Sequence, residues 1–362
     1  MLPNHVGSES SADVKGALAA EELAREYRGS MALDQWRGLA LVLVLISHGF
    51  FFTNRVNGIG RVGVNLFFFI SGILVFRSLS RSKAASPWRN ARWFLWRRFR
   101  RLYPALLAYV LAMLVGVWCL QNRPNLPPYS DFSDYLRAIP FAVGYVINYT
   151  SNEQMTLGHL WSLSCEMQFY LLAPLIYIMG GTAPRRRTVV FGAVLALLVV
   201  LGMAQPFIGK WKYHFEFAVW PMMVGFCCEH SRNWFKRVMP QRLVTPVLRG
   251  SVGVCAVILI LTLFGYEMKI AVIGIGALLL APCLLAYLFG RPMPARIGGL
   301  MRWLGERTYS IYLWQQPLTI CNYLPPLWRP AGSLVSVGIG ACWFRMFEMP
   351  FLSANRQKEA KK

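Results

Sequence analysis

The residues of this chain with most to offer chemically lie in apolar surroundings, where ionisable groups are costly and are kept for function. The stretch Asp34-Gln35-Trp36-Arg37-Gly38 leads into an apolar run that ends Ser47-His48-Gly49. If the run is a helix, His48 lies about 16 Å further along its axis than Arg37. A neutral imidazole at that depth can take a proton from an acceptor hydroxyl or can itself carry an acyl group; the alternative is a packing histidine bonded to a neighbouring helix. A second candidate is Glu166, in His159-Leu160-Trp161-Ser162-Leu163-Ser164-Cys165-Glu166-Met167-Gln168-Phe169-Tyr170. A lone carboxylate inside the membrane needs a partner, and His48 is expected to be it, with a gain in imidazole basicity.

The run from Trp93 to Pro104 alternates aromatic and cationic side chains, with Arg97, Arg98 and Arg101 among them. Lipid headgroups would orient such a segment, and the guanidinium groups could also pair with the phosphates of a nucleotide-bearing donor such as coenzyme A. The Ser71-Gly72 pair is expected to let helices approach closely. In Leu304 to Pro317, the amides Gln315 and Gln316 precede a proline. Polar groups there either satisfy backbone freed by the proline or line a cavity. Arg345 and Glu348, on one face of a last helix, are expected to form an internal ion pair.

The elements that must position these groups are membrane helices. Of the 362 residues 56% are apolar and 14% aromatic, with a mean hydropathy of +0.41. The net charge of +22 would suggest nucleic acid in a soluble chain, but here Lys and Arg cluster between apolar runs, as membrane topology requires, and no nucleic-acid partner is expected. Ten stretches approach the length a bilayer demands: about 38–54, 62–80, 102–120, 162–180, 188–206, 216–230, 250–266, 270–290, 308–325 and 332–348. An eleventh, 135–150, is shorter and holds Arg137, Pro140 and Asn148.

Charge decides against that eleventh span. If it does not cross, Arg77 to Arg101, Arg185 to Arg187, Arg232 to Arg249 and Arg291 to Arg307 all fall on the side of the N-terminus; if it does, the later clusters fall outside. The expected fold is therefore an all-α polytopic membrane bundle of about ten helices, both termini cytoplasmic. A flexible cytoplasmic tail is expected over 1–30, a membrane domain over 31–352 and a basic cytoplasmic tail over 353–362. The outer stretch Gln121 to His159 is too long for a mere connector, and such loops tend to carry function. The eight cysteines show no CxxC pair, and those in or beside apolar runs (Cys119, Cys165, Cys255, Cys283, Cys342) read as small hydrophobes. No metal is expected.

These motifs together resemble the membrane-bound acyltransferase family 3, whose members mostly O-acetylate surface or secreted polysaccharides, lipopolysaccharide, peptidoglycan or small glycosides. The family's Asp-x-x-Arg-Gly, and its Arg and His with ten residues between, are similar to Asp34, Arg37, Gly38 and His48. Its Phe-Phe-x-x-Ser-Gly looks like Phe67, Phe68, Ser71 and Gly72, and its Arg-rich segment ending in Pro like Arg97, Arg98, Arg101 and Pro104. Its Trp-Ser-Leu-x-x-Glu-x-x-Phe-Tyr is met by Trp161, Ser162, Leu163, Glu166, Phe169 and Tyr170, and its closing pattern by Arg345, Glu348, Pro350 and Phe351. Gln35 and Trp36 depart from the small and aliphatic residues usual there, and Asn65 from a common acid. Gln315, after Ile311-Tyr312-Leu313-Trp314, replaces a frequent histidine.

The resemblance implies a multi-pass protein of the bacterial inner membrane that moves acetyl from cytoplasmic acetyl-coenzyme A to a sugar hydroxyl, with no permanently bound cofactor. It implies His48 as base or acyl relay, Glu166 orienting it, and Arg37, Arg97, Arg98, Arg101 and Ser71 near the donor. Asp34, Trp161, Ser162, Tyr170, Tyr312, Gln315, Arg345 and Glu348 would shape the pocket. The expected acceptor is an exopolysaccharide or its lipid-linked repeat unit, with polysaccharide-synthesis machinery as a partner. A small glycoside acceptor, a glycan transporter or flippase, and a non-catalytic scaffold are the competing readings. Against transport stands the lack of a visible repeat.

Overall fold

The computed structural model describes residues 11–49, 57–81, 86–121, 132–150, 157–204, 207, 213–263, 269–319 and 328–352. Among them all regular structure is helical, as expected for a chain that must satisfy its backbone internally in lipid. Fourteen α-helices follow in order: α1 (Ser11–Gly49), α2 (Asn57–Ser80), α3 (Pro87–Leu120), α4 (Phe132–Val143), α5 (Leu160–Gly180), α6 (Pro184–Ala204), α7 (Phe215–Ala218), α8 (Trp220–His230), α9 (Arg232–Val238), α10 (Gln241–Leu263), α11 (Lys269–Leu288), α12 (Ala295–Glu306), α13 (Thr308–Thr319) and α14 (Trp328–Trp343). Among the described residues, five helices are long and apolar enough to cross a membrane: Ala20–Gly49 within α1, Ile59–Ser80 within α2, and α3, α5 and α6. Of the later expected stretches, 250–266 and 270–290 carry α10 with 23 residues and α11 with 20, whereas 216–230 and 308–325 carry the shorter α8 with 11 and α13 with 12.

One feature differs from the sequence reading, and the decision on 135–150 is in line with it. Residues 11–30, expected to be a flexible tail, continue α1 as helix, and Glu26 on this extension faces Arg81 at 2.8 Å, Arg232 at 3.3 Å and Arg77 at 3.7 Å. An acidic side chain met by three cations from two other elements anchors the extension to α2 and α9. The rest of that expected tail, 1–10, and the expected basic tail at 353–362 lie outside the described residues. The 135–150 stretch is helical only within α4, whose 12 residues reach about 18 Å against a hydrocarbon core of about 30 Å. Beyond α4 the chain turns at Tyr145, which has φ 54°, before a 3-10 turn at Ile147–Tyr149.

Close helix crossings fix the frame. A Cβ on Gly72 would stand 1.9 Å from the Met222 carbonyl oxygen, and one on Gly225 2.0 Å from that of Phe69, so α2 and α8 meet backbone to backbone. Gly38 and Gly305 do the same for α1 and α12, at 1.9 Å from the Met301 oxygen and 1.7 Å from the Asp34 oxygen. Such contact through small residues is how helices associate in lipid, where burial of apolar surface gives little drive. Of the Ser71-Gly72 pair, only Gly72 serves packing; Ser71 points into the site described below. Among the cysteines described, Cys165 and Cys283 are buried thiols, as expected of small hydrophobes, while Cys119 and Cys342 are exposed.

Substituting Gly72→Val must separate α2 from α8 and is expected to destabilise the folded protein by about 3 kcal/mol or more. Gly192→Val, on α6 with nothing within 4 Å of its Cβ, serves as the control. Thermal unfolding of the two variants in detergent, followed by size-exclusion chromatography, should show an early loss for the first and a near wild-type profile for the second.

Candidate active site

Two cavities lie end to end within the bundle. The first, with about 600 Å³ of empty space, is lined by Arg37, Ser71, Arg98, Arg101, Glu166 and Tyr170 among its polar groups, together with Val64, Phe67 and Tyr312. The second, with about 920 Å³, is lined by His48, Arg61, His159, Trp161, Tyr213 and Gln316, again with Val64 and Tyr312. Four helices keep one register. From the first cavity to the second, α1 runs Arg37 to His48, α2 Ser71 to Arg61, α5 Glu166 to Trp161, and α13 Thr308 to Gln316. Val64 and Tyr312 border both and form the partition between them. Tyr312 is pinned there, its hydroxyl 2.7 Å from Ser162 Oγ and donating to the His159 carbonyl at 3.2 Å.

The first cavity solves a charge problem. Three arginines from α1 and α3 surround it, and two carboxylates, Glu166 and Glu348, lie close by. Glu166 accepts hydrogen bonds from Ser71 Oγ at 2.5 Å and from the Tyr170 hydroxyl, and the Arg98 guanidinium lies over the Tyr170 ring at 5.0 Å. Glu348, with no exposed surface, pairs with Arg101 at 3.6 Å and accepts from Ser310 Oγ at 2.5 Å. It ends a π-helical turn, Phe344–Glu348, a wider winding often found at functional sites. The result is a preassembled cationic cradle suited to phosphate oxygens.

At the other end, His48 Nδ1 lies 2.6 Å from the Gln315 side-chain carbonyl oxygen. That oxygen can only accept, so Nδ1 carries the proton and Nε2 keeps its lone pair. The terminus of α1 is secured by α14: Ser333 Oγ donates to the Leu45 carbonyl at 3.4 Å, and Gly49 leaves room for Ser333 beside it. Pro317 has no N–H to give the Leu313 carbonyl four residues back, and His159 Nε2 donates to that oxygen instead, at 3.0 Å. Of the two alternatives for the amide pair before Pro317, cavity lining holds for Gln316, while the carbonyl freed by the proline is satisfied from elsewhere, by His159.

Most of the residues singled out in the sequence gather here, with four differences. His48 and Glu166 do not pair; the partner of His48 is Gln315, and Glu166 belongs to the other cavity. The level of His48 on α1 matches the start of α5, and Glu166 lies five residues further down, about 7 Å along the axis. Arg97 faces away, exposed, while Arg98 and Arg101 turn inward. Arg345 is exposed, so Glu348 pairs across the bundle with Arg101 rather than along its own helix. Asp34 does not line either cavity, and serves through its backbone in the crossing with Gly305. Gln35, unusual at its position, is buried and ties α1 to the start of α12, accepting from the Met293 N–H at 2.6 Å and donating to the Gly298 carbonyl at 3.2 Å.

Sequence reasoning passed over Arg61, His159 and Tyr213 as site residues. His159 carried a usable signal, being an ionisable group at the mouth of the helix that bears Glu166. Arg61 and Tyr213 read as ordinary residues beside helix ends, and only the fold brings them to His48.

A bundle of apolar helices with a buried histidine facing one cavity and an arginine cradle behind it is an arrangement that a membrane-embedded transferase can use. The Acyltransferase domain of acyltransferase family 3 matches residues 31–344, and the chain belongs to that family. It is similar to YrhL of Bacillus subtilis, provisionally named a peptidoglycan O-acetyltransferase, at 26% identity over 82% of this chain and 50% of the relative. It is similar to BcsY of Komagataeibacter xylinus, provisionally named a membrane-bound transacylase, at 29% identity over 81% of this chain and 74% of the relative. The peptidoglycan O-acetyltransferase OatA of Listeria monocytogenes shares 27% over 90% of this chain and 56% of its own length. The chain thus spans about half the length of the two relatives named for peptidoglycan. No solved structure matches it.

Removal of the buried counter-ion should be costly. Glu348→Ala leaves the Arg101 cation unpaired and is expected to destabilise by about 3 kcal/mol, whereas Arg345→Ala, at an exposed position, should stay within about 0.5 kcal/mol of wild type. Thermal unfolding of the two variants in the same detergent checks the contrast; equal effects would place the ion pair elsewhere.

Proposed function

We propose that the chain is an integral membrane O-acetyltransferase that transfers acetyl from cytoplasmic acetyl-coenzyme A to a hydroxyl of an extracytoplasmic carbohydrate. The observation that carries this reading is the stacked pair of cavities, one cationic and one built around His48, divided by Tyr312. Arg37, Arg98 and Arg101 pair with the donor phosphates, and the thioester end passes Tyr312 toward His48. There His48 Nε2 takes the proton of the sugar hydroxyl as the oxygen–carbonyl bond forms and the carbon–sulfur bond breaks, and returns it to the departing thiolate. Gln315 holds the ring in the competent tautomer. Glu166 acts on the donor side, keeping Ser71, Tyr170 and Arg98 in register, rather than on His48.

The topology that serves this is ten crossings with both termini cytoplasmic, in the inner membrane. Support comes from helices at each of the ten apolar stretches and from the clustering of Arg77, Arg81, Arg89, Arg92 and Arg232 at the end of the bundle that bears the cradle. Residues 31–352 would form the transferase domain. The acceptor class favoured is a polysaccharide, an exopolysaccharide or its lipid-linked repeat unit, in line with the names of the relatives, and synthesis machinery would be its partner. Two back-to-back cavities would also suit a glycan carrier, but a carrier has no need of an oriented imidazole.

The test is the O-acetyl content of surface and secreted glycans from cells lacking the chain, restored with wild type, or restored with His48→Ala at equal membrane abundance. Acetyl is expected to vanish on deletion and to return only with wild type. The purified His48→Ala protein should fall by about a thousandfold in transfer rate. Full restoration by His48→Ala would remove the imidazole from the mechanism, and unchanged acetyl in every strain would favour the carrier.

A further inference from the structure

Helices α3 and α5 are held apart, and protein fills only half of the gap between them. In the half further from the start of α3 the filler is α4 with its turn. There the Tyr135 hydroxyl donates to the Val110 carbonyl of α3 at 2.9 Å, and Gln168 Nε2 of α5 donates to the Tyr145 carbonyl at 2.8 Å. This plug ends at Tyr145, 6.2 Å from the Tyr103 ring. From that level to the start of α3 runs a groove with about 1730 Å³ of empty space, lined by α3 and α5 alone. One wall is an aromatic ladder on α3, where Trp96 stacks with Phe99 at 6.1 Å and Phe99 with Tyr103 at 4.4 Å. Met167, Leu171 and Leu175 of α5 form the other. The run from Trp88 to Phe99 gives the groove a length of about 16 Å.

The groove is polar at one end only. Arg89 and Arg92, three residues apart and so neighbours on one face, line it near the start of α3 and are exposed, with Trp88 beside them. Among the described residues lining the groove none is acidic. Further along, α3 exposes Leu107, Leu111, Val115 and Trp118 with no cation among them, a surface that any acyl chain can cover. Two guanidinium groups at the head of an apolar slot make a different demand. Phosphate oxygens accept from arginine, and basic pockets between membrane helices retain anionic headgroups. The position is also mechanically significant: Arg98, Glu166 and Tyr170 line the cradle, and the residue after each, Phe99, Met167 and Leu171, lines the groove.

We propose that the groove is a binding site for one anionic phospholipid, its phosphate paired with Arg89 and Arg92 and one acyl chain laid along the Trp96–Phe99 ladder against Leu171 and Leu175. The lipid occupies the half of the gap that α4 leaves open. It thereby sets the spacing of α3 and α5 that seats Arg98 over the Tyr170 ring. The inference goes beyond the transfer reading and does not depend on the acceptor.

The test is native mass spectrometry of the delipidated full chain, offered phosphatidylglycerol or phosphatidylcholine with the same two oleoyl chains. Wild type is expected to bind its first phosphatidylglycerol about tenfold or more tighter than phosphatidylcholine. Arg89→Gln with Arg92→Gln should bring that ratio near one, whereas Arg185→Gln with Arg186→Gln, at exposed positions in the first turn of α6, should leave it unchanged. Leu171→Trp fills the groove while keeping both arginines, and should weaken the first phosphatidylglycerol by about fivefold or more. Equal binding of the two lipids by wild type would overturn the proposal. So would an equal loss in the two arginine pairs, which is attraction to a basic surface, or full binding by Leu171→Trp, which is a headgroup contact with no seat for the chain. As a second readout, phosphatidylglycerol should raise the unfolding temperature of wild type and of the Arg185/Arg186 variant, and not that of the Arg89/Arg92 variant. The same rise in all three rejects the site.

Discussion

Arginine among apolar helices demands a counter-ion, and the bundle is arranged around that demand. Arg37, Arg98 and Arg101 converge on one cavity, so their mutual repulsion in a low-dielectric setting has to be offset before any ligand arrives. Glu348 reaches Arg101 from the far end of the chain, through a π-turn at the end of α14. Glu166 reaches the same space from α5 and is fixed by Ser71 and Tyr170. Each carboxylate is also hydrogen-bonded by a hydroxyl, which is what makes a buried charge tolerable. The cradle is consequently preformed, and its geometry depends on elements separated by most of the sequence.

That dependence explains the glycines. Charges held at such distances stay aligned only if the helices bearing them cannot slide, and backbone-to-backbone crossings at Gly72 with Gly225 and at Gly38 with Gly305 allow little sliding. Gly38 follows Arg37 directly and Gly72 follows Ser71, so on both helices the residue that packs is adjacent to the residue that lines the cavity. Neighbouring positions on a helix point about 100° apart, which lets one face lock while the next presents a functional group. The motifs that look like single signatures in the sequence are therefore two-part devices.

Much of this was legible beforehand. The class of fold followed from apolar run length, and His48 and Glu166 could be named from the cost of ionisable groups in lipid, while Arg37 came from the family resemblance and Arg97, Arg98 and Arg101 were named together from the alternation of aromatic and cationic side chains. What could not be read was pairing. Depth along a helix is computable from its rise, but the vertical offset between two helices is not, and an offset of five residues moved Glu166 away from His48. The same holds for rotation: Arg97 and Arg98 are adjacent in the chain, yet only one faces inward. The partnership of Arg101 with Glu348 spans α3 and the end of α14, and no local spacing rule reaches that far. Residues at loop ends, such as Arg61 and Tyr213, acquire meaning only from what the fold places opposite them.

The replacement at Gln315 shows how local chemistry constrains mechanism. A histidine at this point would put a second titratable ring beside His48, and the two could share or exchange a proton. An amide does neither. Its carbonyl oxygen accepts from His48 Nδ1 and fixes one tautomer, and the remaining Nε2 lone pair is left for the cavity. Glu166 lies on the far side of Tyr312, so the imidazole of His48 is oriented by a neutral group, and as the proposed base it would work without that carboxylate beside it. A base of that kind would abstract a proton less forcefully than one paired with a carboxylate. An amide at residue 315 and carboxylates kept beside the other cavity thus separate two tasks: one neutral group orients the imidazole, while Glu166 and Glu348 answer the arginines of the cradle.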